Sequence, residues 1–213
     1  MSVIKLGCEL LSNDGQEQLS PEVAPLSGTN FIMLVSTIER RKNHEVLYRS
    51  YTRLAEKGIK RLPLLVFVGM PGWGVTELLS DLNLDARVKP YVRILNHVSD
   101  GDLAWLYQNA EFTVFPSLYE GWGIPVAESL AAGKFCLAST AASIPEVGGD
   151  LIEYLDPWDL PSWENRLQWY FEHPEVIAEK NEKIRHEYTA PKWGDTALFV
   201  LKTAEKLLPK QEM

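Results

Sequence analysis

Short apolar segments that alternate with amphipathic ones constrain the fold of this 213-residue chain most strongly. Residues 31–37 and 63–69 are apolar almost throughout, which is typical of strands buried on both faces. Between them, residues 44–57 carry apolar side chains at helical spacing and end at Gly58. The same alternation continues through the strand-like segments 91–96, 111–116, 135–139 and 151–155. The pattern predicts an α/β fold with a doubly wound, Rossmann-like parallel sheet.

Local signals predict where several of the helices begin and end. Ser99, followed three residues later by Asp102, resembles a capping box and predicts a helix start. Pro125 near the start and Gly133 just past the end bound a predicted helix over residues 124–132. From residue 157 onward the chain is predicted to be helical, and its last apolar stripe runs from Trp193 to Leu208.

The beginning of the chain has a different character. Residues 9–29 are polar and rich in Ser, Pro, Gly and Gln, which predicts a linker and places the first packed element at Phe31. We therefore divide the chain into a linker over 1–29, a Rossmann-like domain over 30–187 and a C-terminal helix over 188–213. The last stripe is interpreted either as an exposed docking face or as a helix that folds back on this domain.

Composition and charge exclude several classes of protein. A net charge of -8 disfavours a nucleic-acid partner. No apolar run has the length of a membrane span, and the N-terminus lacks the layout of a signal peptide. The two cysteines, Cys8 and Cys136, make no disulfide framework, and no Cys/His cluster has metal-ligand spacing. We expect a cytoplasmic protein with no metal cofactor and no membrane span.

The segment 120–128 carries the strongest functional signal. It follows a predicted strand, turns through Gly121 and Gly123, and enters a helix, so its backbone N–H groups are available to a phosphate. Glu128, about one turn into that helix, could accept two hydrogen bonds from the hydroxyls of a ribose. The alternative is an ordinary turn in which a glutamate favours the helix dipole.

Two further loops follow predicted strands at the same edge of the sheet. Arg41 and Lys42 lie in the segment 36–43, where adjacent cations can neutralise a diphosphate, although a solvated basic loop is the alternative. The glycine-rich segment 69–74 has neither the Walker spacing nor the dinucleotide fingerprint, and by itself it indicates little.

Taken together, these segments resemble the C-terminal domain of glycosyltransferase family 4, whose members are retaining enzymes of GT-B fold. Glu120 and Glu128, with seven residues between them, match the family pattern E-G-F-G-x-P-x-x-E, with Trp122 in place of Phe. The family's G-x-x-x-x-R-K segment corresponds to residues 36–42, with Ser36 where glycine is usual. Residues 97–100 and 145–149 resemble two further family segments.

The resemblance implies a role for each matching residue. Arg41 and Lys42 would hold the diphosphate of a nucleotide-sugar donor and stabilise the leaving group, while Glu120 would contact hydroxyls of the transferred sugar. Glu128 would hold the ribose hydroxyls. The remaining expected donor contacts are Thr37, Val98 near the base, and Gly121, Trp122, Gly123 and Ile124 beside the phosphates. The donor is a substrate, and no metal is expected.

The resemblance also implies a partner. A GT-B enzyme closes its active site between two domains, so this chain is expected to be the donor half and to need an acceptor domain in cis or in trans. That domain could also place the protein at a membrane surface. The donor is expected to be GDP-mannose, with UDP-sugars next, and the product a hexose on a glycan or lipid acceptor that the sequence does not identify.

Several alternatives stay open at this stage. The chain could be a non-catalytic nucleotide-sugar-binding module, or one subunit of a two-chain transferase that is inactive alone. Phosphorylases and epimerases also use the GT-B fold, but the glutamate pair with Arg41 and Lys42 favours transfer over epimerisation. His97 is disfavoured as a general base, and His44 is expected to be a surface residue.

Overall fold

The computed structural model, which describes residues 4, 6–8 and 18–207, contains a six-stranded sheet in the order β3-β2-β1-β4-β5-β6. All neighbouring strands pair in parallel. This arrangement confirms the predicted doubly wound sheet, and the chain changes direction across the sheet between β1 and β4. The strands are β1 (Phe31–Val35), β2 (Leu64–Val68), β3 (Val92–Leu95), β4 (Thr113–Phe115), β5 (Cys136–Ser139) and β6 (Glu153–Leu155).

Helices connect and follow the strands. Ser99 caps α3 as predicted, because its hydroxyl oxygen accepts a hydrogen bond from the backbone N–H of Asp102 at 3.1 Å. Gly123 precedes α4 in the left-handed conformation, with φ at 101°, and Pro125 lies in the first turn. The helices are α1 (His44–Glu56), α2 (Thr76–Leu84), α3 (Asp100–Asn109), α4 (Ile124–Ala131), α5 (Ile144–Gly148), α6 (Leu160–Glu172), α7 (Pro174–Glu187) and α8 (Trp193–Leu207).

Alternate residues of the central strands enter two separate core clusters. Ile32 of β1 and Phe67 of β2 belong to a large cluster with apolar residues of α1, α2 and α6. Met33 and Val66 belong to a smaller cluster that includes Leu106 of α3. Because successive side chains of a strand point to opposite faces, both faces of the sheet are covered, which explains why the strands are apolar throughout.

Packed structure begins before β1, so the prediction that it starts at Phe31 is wrong. Residues 24–26 form a short 3-10 helix, Ala24–Leu26, which Val23 precedes. The side chains of Val23 and Leu26 are buried in the smaller core cluster. The backbone N–H of Ser20 also donates to the Asp102 carboxylate at 3.1 Å. Two apolar residues in a polar segment gave no periodic signal, yet they cover a patch of sheet that would otherwise be wet. Residues 9–17 of the predicted linker lie outside the described residues.

The last described helix, α8, presents its apolar residues to solvent. Trp193, Leu198, Val200 and Leu201 are exposed, and Leu201 is 60% accessible. The helix start contacts the beginning of the chain: a side chain at Gly7 would overlap the backbone of Trp193. Leu208, the last residue of the predicted stripe, lies outside the described residues. Within the described part of the chain, no helix combines the length and apolarity needed to cross a membrane.

Candidate functional site

The loops that follow β1 and β4 meet at the carboxyl edge of the sheet, where the strand order reverses. The backbone N–H of Leu118 donates to the carbonyl of Arg41 at 2.8 Å. Asn43 adds two further bonds, since its side-chain amide donates to the carbonyls of Pro116 at 3.1 Å and Pro157 at 2.9 Å. The basic segment is therefore held against the loop that carries Glu120.

Asn43 was not identified as a site residue from the sequence. It adopts the left-handed conformation, with φ at 58°, between a short 3-10 turn (Arg40–Lys42) and α1. Asparagine tolerates this conformation better than most residues because its short polar side chain bonds locally. An asparagine directly after a basic pair and before a helix is the signal that could have found it.

The structure brings together the three residues predicted to act on the diphosphate and sugar. The Glu120 carboxylate accepts a hydrogen bond from Lys42 Nζ at 2.6 Å and lies 3.1 Å from a terminal nitrogen of Arg41. The Ser117 hydroxyl donates to the same carboxylate at 2.7 Å. We call Arg41, Lys42, Ser117 and Glu120 the Glu120 cluster. Sequence reasoning missed Ser117, which lies three residues before Glu120.

Burial differs across the Glu120 cluster. Glu120 and Lys42 are almost enclosed, with 8% and 11% of their side chains exposed, whereas Arg41 is 43% exposed. Lys42 also lies over the ring of Phe115, with Nζ 5.3 Å from its centroid. Burial alone would lower the pKa of Arg41, but the Glu120 and Glu39 carboxylates outweigh it and raise that pKa. The outer face of Arg41 is the part of the cluster that a solvent-borne anion can reach.

The loop from Glu120 into α4 is open on its outer side. A side-chain carbon at Gly121 would meet no atom within 4 Å, so a ligand can approach the backbone there. No side chain caps the start of α4. Pro125 has no N–H, and the N–H groups of Val126 and Ala127 donate to the carbonyl of Gly123, so among the described contacts the N–H of Ile124 is the one in the first turn with no acceptor. Behind the loop, the Ser143 hydroxyl lies 3.0 Å from the carbonyl of Glu120 and 3.3 Å from that of Trp122. The loop is thus bound to Ser143 on its inner side, while its outer side at Gly121 is open to a ligand.

Glu128 lies on α4, apart from the Glu120 cluster. The hydroxyl of Tyr107, on α3, donates to Oε2 of Glu128 at 2.7 Å. Burial raises the pKa of Glu128, and the hydrogen bond from Tyr107 lowers it by less than burial raises it. No hydrogen bond or ion pair between described residues joins Glu128 to the Glu120 cluster, so the two glutamates form separate centres.

The other predicted donor contacts occupy different positions on the same edge. Thr37 is exposed on the loop after β1, which is bound to the next loop because the N–H of Ile38 donates to the carbonyl of Met70 at 2.9 Å. Val98 is half-buried against the smaller core cluster, just before α3. Ile124 is 40% exposed at the start of α4. His97 is exposed and makes no described contact with the Glu120 cluster.

His44 is not a surface residue, so that prediction is wrong. It is the first residue of α1 and only 1% exposed, with its ring edge-on to Phe67 at 4.8 Å between centroids. Burial, with a further contribution from nearby Lys42, lowers the pKa of His44 to about 3. Position in the sequence suggested a solvated helix start, but the first turn of α1 faces the sheet. Across the described residues, no group of three or more His, Cys, Asp or Glu side chains is arranged to hold a metal ion.

The chain is similar in sequence to known glycosyltransferases. A sequence model of the family described as "Glycosyl transferases group 1" matches residues 16–185. O-antigen chain mannosyltransferase B of Escherichia coli is 34% identical over 135 residues, covering 63% of this chain and 35% of that protein. D-inositol 3-phosphate glycosyltransferase of Nocardiopsis dassonvillei is 31% identical over 220 aligned positions, covering 98% of this chain and 49% of that protein. The chain spans less than half the length of each relative.

Solved structures show the same fold at low sequence identity. A glycosyltransferase from Rickettsia africae superposes with a TM-score of 0.71 at 13% identity, covering 99% of this chain and 58% of that one. Sucrose-phosphate synthase from Thermosynechococcus elongatus gives 0.69 at 20% identity, covering 96% and 52%. The six-stranded parallel sheet flanked by helices is therefore that of the GT-B, Rossmann-like glycosyltransferases.

Proposed function

Because the chain belongs to the group 1 glycosyl transferase family, we propose that it is the donor-binding half of a retaining glycosyltransferase of family 4. In this proposal it transfers a hexose from a nucleotide diphosphate sugar. The observation that carries the proposal is the Glu120 cluster, in which a buried carboxylate and two cations converge beside an open backbone loop. Such a cluster can bind a diphosphate and a sugar hydroxyl at neighbouring points.

The residues take the following roles. Arg41 and Lys42 neutralise the diphosphate and stabilise the negative charge that develops on it as the bond to the sugar breaks. Glu120 accepts hydrogen bonds from hydroxyls of the transferred sugar. Glu128 accepts hydrogen bonds from the ribose hydroxyls of the nucleotide, and the base lies near Val98. Thr37 and the backbone from Gly121 to Ile124 complete the donor contacts. We further propose that these cations act on the leaving group without a metal, which activity retained in a chelator would support.

The donor is proposed to be GDP-mannose. Support comes from relatives that are named mannosyltransferases, among them O-antigen chain mannosyltransferase B and O-antigen chain mannosyltransferase RfbU. A UDP-sugar is the second candidate. The acceptor is proposed to be a glycan or lipid bound by another domain, and the cytoplasmic location stays a prediction.

Calorimetric titration with GDP, UDP, GDP-mannose and UDP-glucose tests the proposal. Arg41→Met should weaken binding of the preferred nucleotide about 10- to 100-fold, because a charge-assisted hydrogen bond contributes about 1.5–3 kcal/mol. Arg40→Met is the matched control, since Arg40 is an adjacent exposed cation that lines a cavity with Glu39, His44 and Glu77 instead. Equal losses in the two variants, or no binding by folded protein, would contradict the proposed site.

A second candidate function is a binding module or a subunit that acts only with another domain. The exposed apolar residues of α8 favour it, because an apolar helix face of this kind is usually covered by a partner. Donor binding alone cannot separate the candidates. Incubation with radiolabelled GDP-mannose, with and without an acceptor-binding domain of a relative, distinguishes them: transfer only in the mixture supports a two-part enzyme, and no transfer supports a binding module.

A further inference from the structure

We infer that Tyr107 is a positioning residue for the nucleotide site: its hydroxyl holds the Glu128 carboxylate in the orientation that accepts the ribose hydroxyls. The inference rests on the proposed function, because it assumes that a nucleotide binds at Glu128. The hydrogen bond from Tyr107 to Oε2 of Glu128 is 2.7 Å long. This length is typical of a strong bond from a hydroxyl to an ionised acceptor.

The side chain of Tyr107 is itself fixed by burial, so it can hold the side chain of Glu128 in one orientation. Its ring is completely buried in the smaller core cluster, which also contains Leu106 and Met33. A side chain packed to this density cannot change rotamer without opening the core. The carbonyl of Pro125 lies 3.5 Å from the hydroxyl, which is too far for a strong bond. The hydroxyl is therefore directed at Glu128.

Glu128 has one oxygen held and one available. Oε2 accepts the bond from Tyr107, while Oε1 has no hydrogen-bond donor among the described residues. An ionised carboxylate accepts about four hydrogen bonds, so capacity remains for two ribose hydroxyls. Without Tyr107 the flexible side chain would have to be ordered when the ligand binds, and that ordering would weaken the binding. The fold has already ordered it.

The same helix connects the ribose side of the site to the base side. Val98 immediately precedes Ser99, the cap of α3, and Tyr107 lies on that helix. Because α3 is a rigid element anchored by Tyr107 and Leu106 in the core, the loop near the base and the contact to Glu128 keep a constant separation.

A buried tyrosine could instead serve stability alone, so the test must separate the two roles. We would measure the affinity of GDP and 2′-deoxy-GDP for the wild-type chain, and for the Tyr107→Phe and Glu128→Gln variants; if UDP is preferred, the uridine pair is used. The wild type should favour the ribonucleotide, and Glu128→Gln should remove most of that preference. Tyr107→Phe should reduce the preference about 3- to 10-fold, and it should weaken 2′-deoxy-GDP binding less than GDP binding, because 2′-deoxy-GDP keeps only its 3′-hydroxyl contact with Glu128.

Tyr51→Phe is the matched control. Tyr51 is also completely buried, but its hydroxyl has no hydrogen-bond partner among the described residues, and it lies in the other core cluster. Removing that hydroxyl deletes the same atom from an equally buried ring without touching the nucleotide site. The ribose preference of Tyr51→Phe should equal that of the wild type.

A pH profile gives a second readout that a structural role would not move. The hydrogen bond from Tyr107 lowers the pKa of Glu128 against the effect of burial, so Tyr107→Phe should raise it further. Cys8 and Cys136 lie within electrostatic reach of this pair, but burial raises the pKa of each to about 12, and they stay neutral at acid pH. GDP affinity should therefore begin to fall at a higher pH in the variant. The phosphates of GDP also titrate in this range, but they do so equally for both proteins, so their effect cancels when the variant is compared with the wild type.

The outcomes are distinct. Intact GDP binding by Tyr107→Phe with an unchanged ribose preference would overturn the inference alone, as would an equal loss of both nucleotides. Failure of the folded wild type to bind any nucleotide would overturn the proposed function and this inference with it. A reduced ribose preference together with a raised pH midpoint, both absent from Tyr51→Phe, would establish the positioning role.

Discussion

The buried ion pair between Lys42 and Glu120 allows a quantitative prediction about stability. Lys42→Met removes one partner from a pair whose charged atoms lie 2.6 Å apart and whose side chains are 11% and 8% exposed. Removing one member of such a pair costs about 3–5 kcal/mol, because the other charge stays buried. Glu120 keeps the Ser117 hydroxyl and Arg41, so we expect the lower end, about 3 kcal/mol. For a chain of this length that lowers the Tm by roughly 6–12 °C.

Two further variants make the prediction specific. Arg49→Met breaks an ion pair with Glu45 at 2.7 Å, but those side chains are 61% and 43% exposed. Water and salt screen such a pair, so the loss should stay below about 0.5 kcal/mol. Adding Glu120→Gln to Lys42→Met removes the uncompensated charge. The double variant should therefore lose less stability than the sum of the two single variants.

Urea denaturation followed by circular dichroism measures these differences. We expect the midpoint of Lys42→Met to fall while its dependence on urea stays unchanged, as for a loss of stability without a change in exposed surface. A loss no larger than that of Arg49→Met, or strict additivity with Glu120→Gln, would show that the pair is not the buried, coupled unit described above. The functional assignment of Lys42 does not enter this test.

Three other predictions concern single residues, and Gly58 is the control for one of them, Gly69. Tyr51→Phe should leave stability unchanged or raise it by up to about 1 kcal/mol in a thermal melt, because it removes an unpartnered buried hydroxyl. Gly69→Ala should lose more than about 2 kcal/mol in urea, since φ is 150° and the new carbon would overlap the carbonyl of Ser36. Gly58→Ala, with φ at 69° and open space around it, should lose only about 1 kcal/mol. Hydrogen bonds from the Arg87 side chain lower the pKa of Asp85 from 3.8 to about 2. The ionised Asp85 therefore contributes fully to the free energy of unfolding above about pH 4, and this contribution is lost as the pH falls towards 2. In the Asp85→Asn variant the free energy of unfolding should depend less on pH over that range.

The sequence alone predicted most of the elements around the site. Continuous apolar runs predicted parallel strands, and the structure confirms the doubly wound sheet. The Ser99 cap is where the motif placed it, because capping depends only on residues within one turn. Arg41, Lys42 and Glu120 were predicted to act together from their loops, and the parallel sheet brings those loops to one edge.

Long-range contacts were beyond such reasoning. Asn43 bonds to carbonyls 73 and 114 positions away, and their places depend on how the loops pack. Ser117 bonds within its own loop, but its spacing of three residues from Glu120 did not by itself show that the loop directs the hydroxyl at that carboxylate. The sequence predicted Val23 and Leu26 to lie in a linker and His44 to lie at the surface. All three are buried, because burial depends on which other parts of the chain pack against a residue. The exposure of α8 is equally a property of the packed molecule.

Local chemistry therefore determined the order of strands and helices, the turn into α4 and the residue types at the sheet edge. Only the tertiary structure decided which carboxylate is buried with two cations and which is held by a tyrosine from another helix. The physical reason is that backbone propensity and hydrophobic period act over a few residues. The Tyr107–Glu128 bond instead joins two helices across 21 positions of sequence, and no periodicity encodes it.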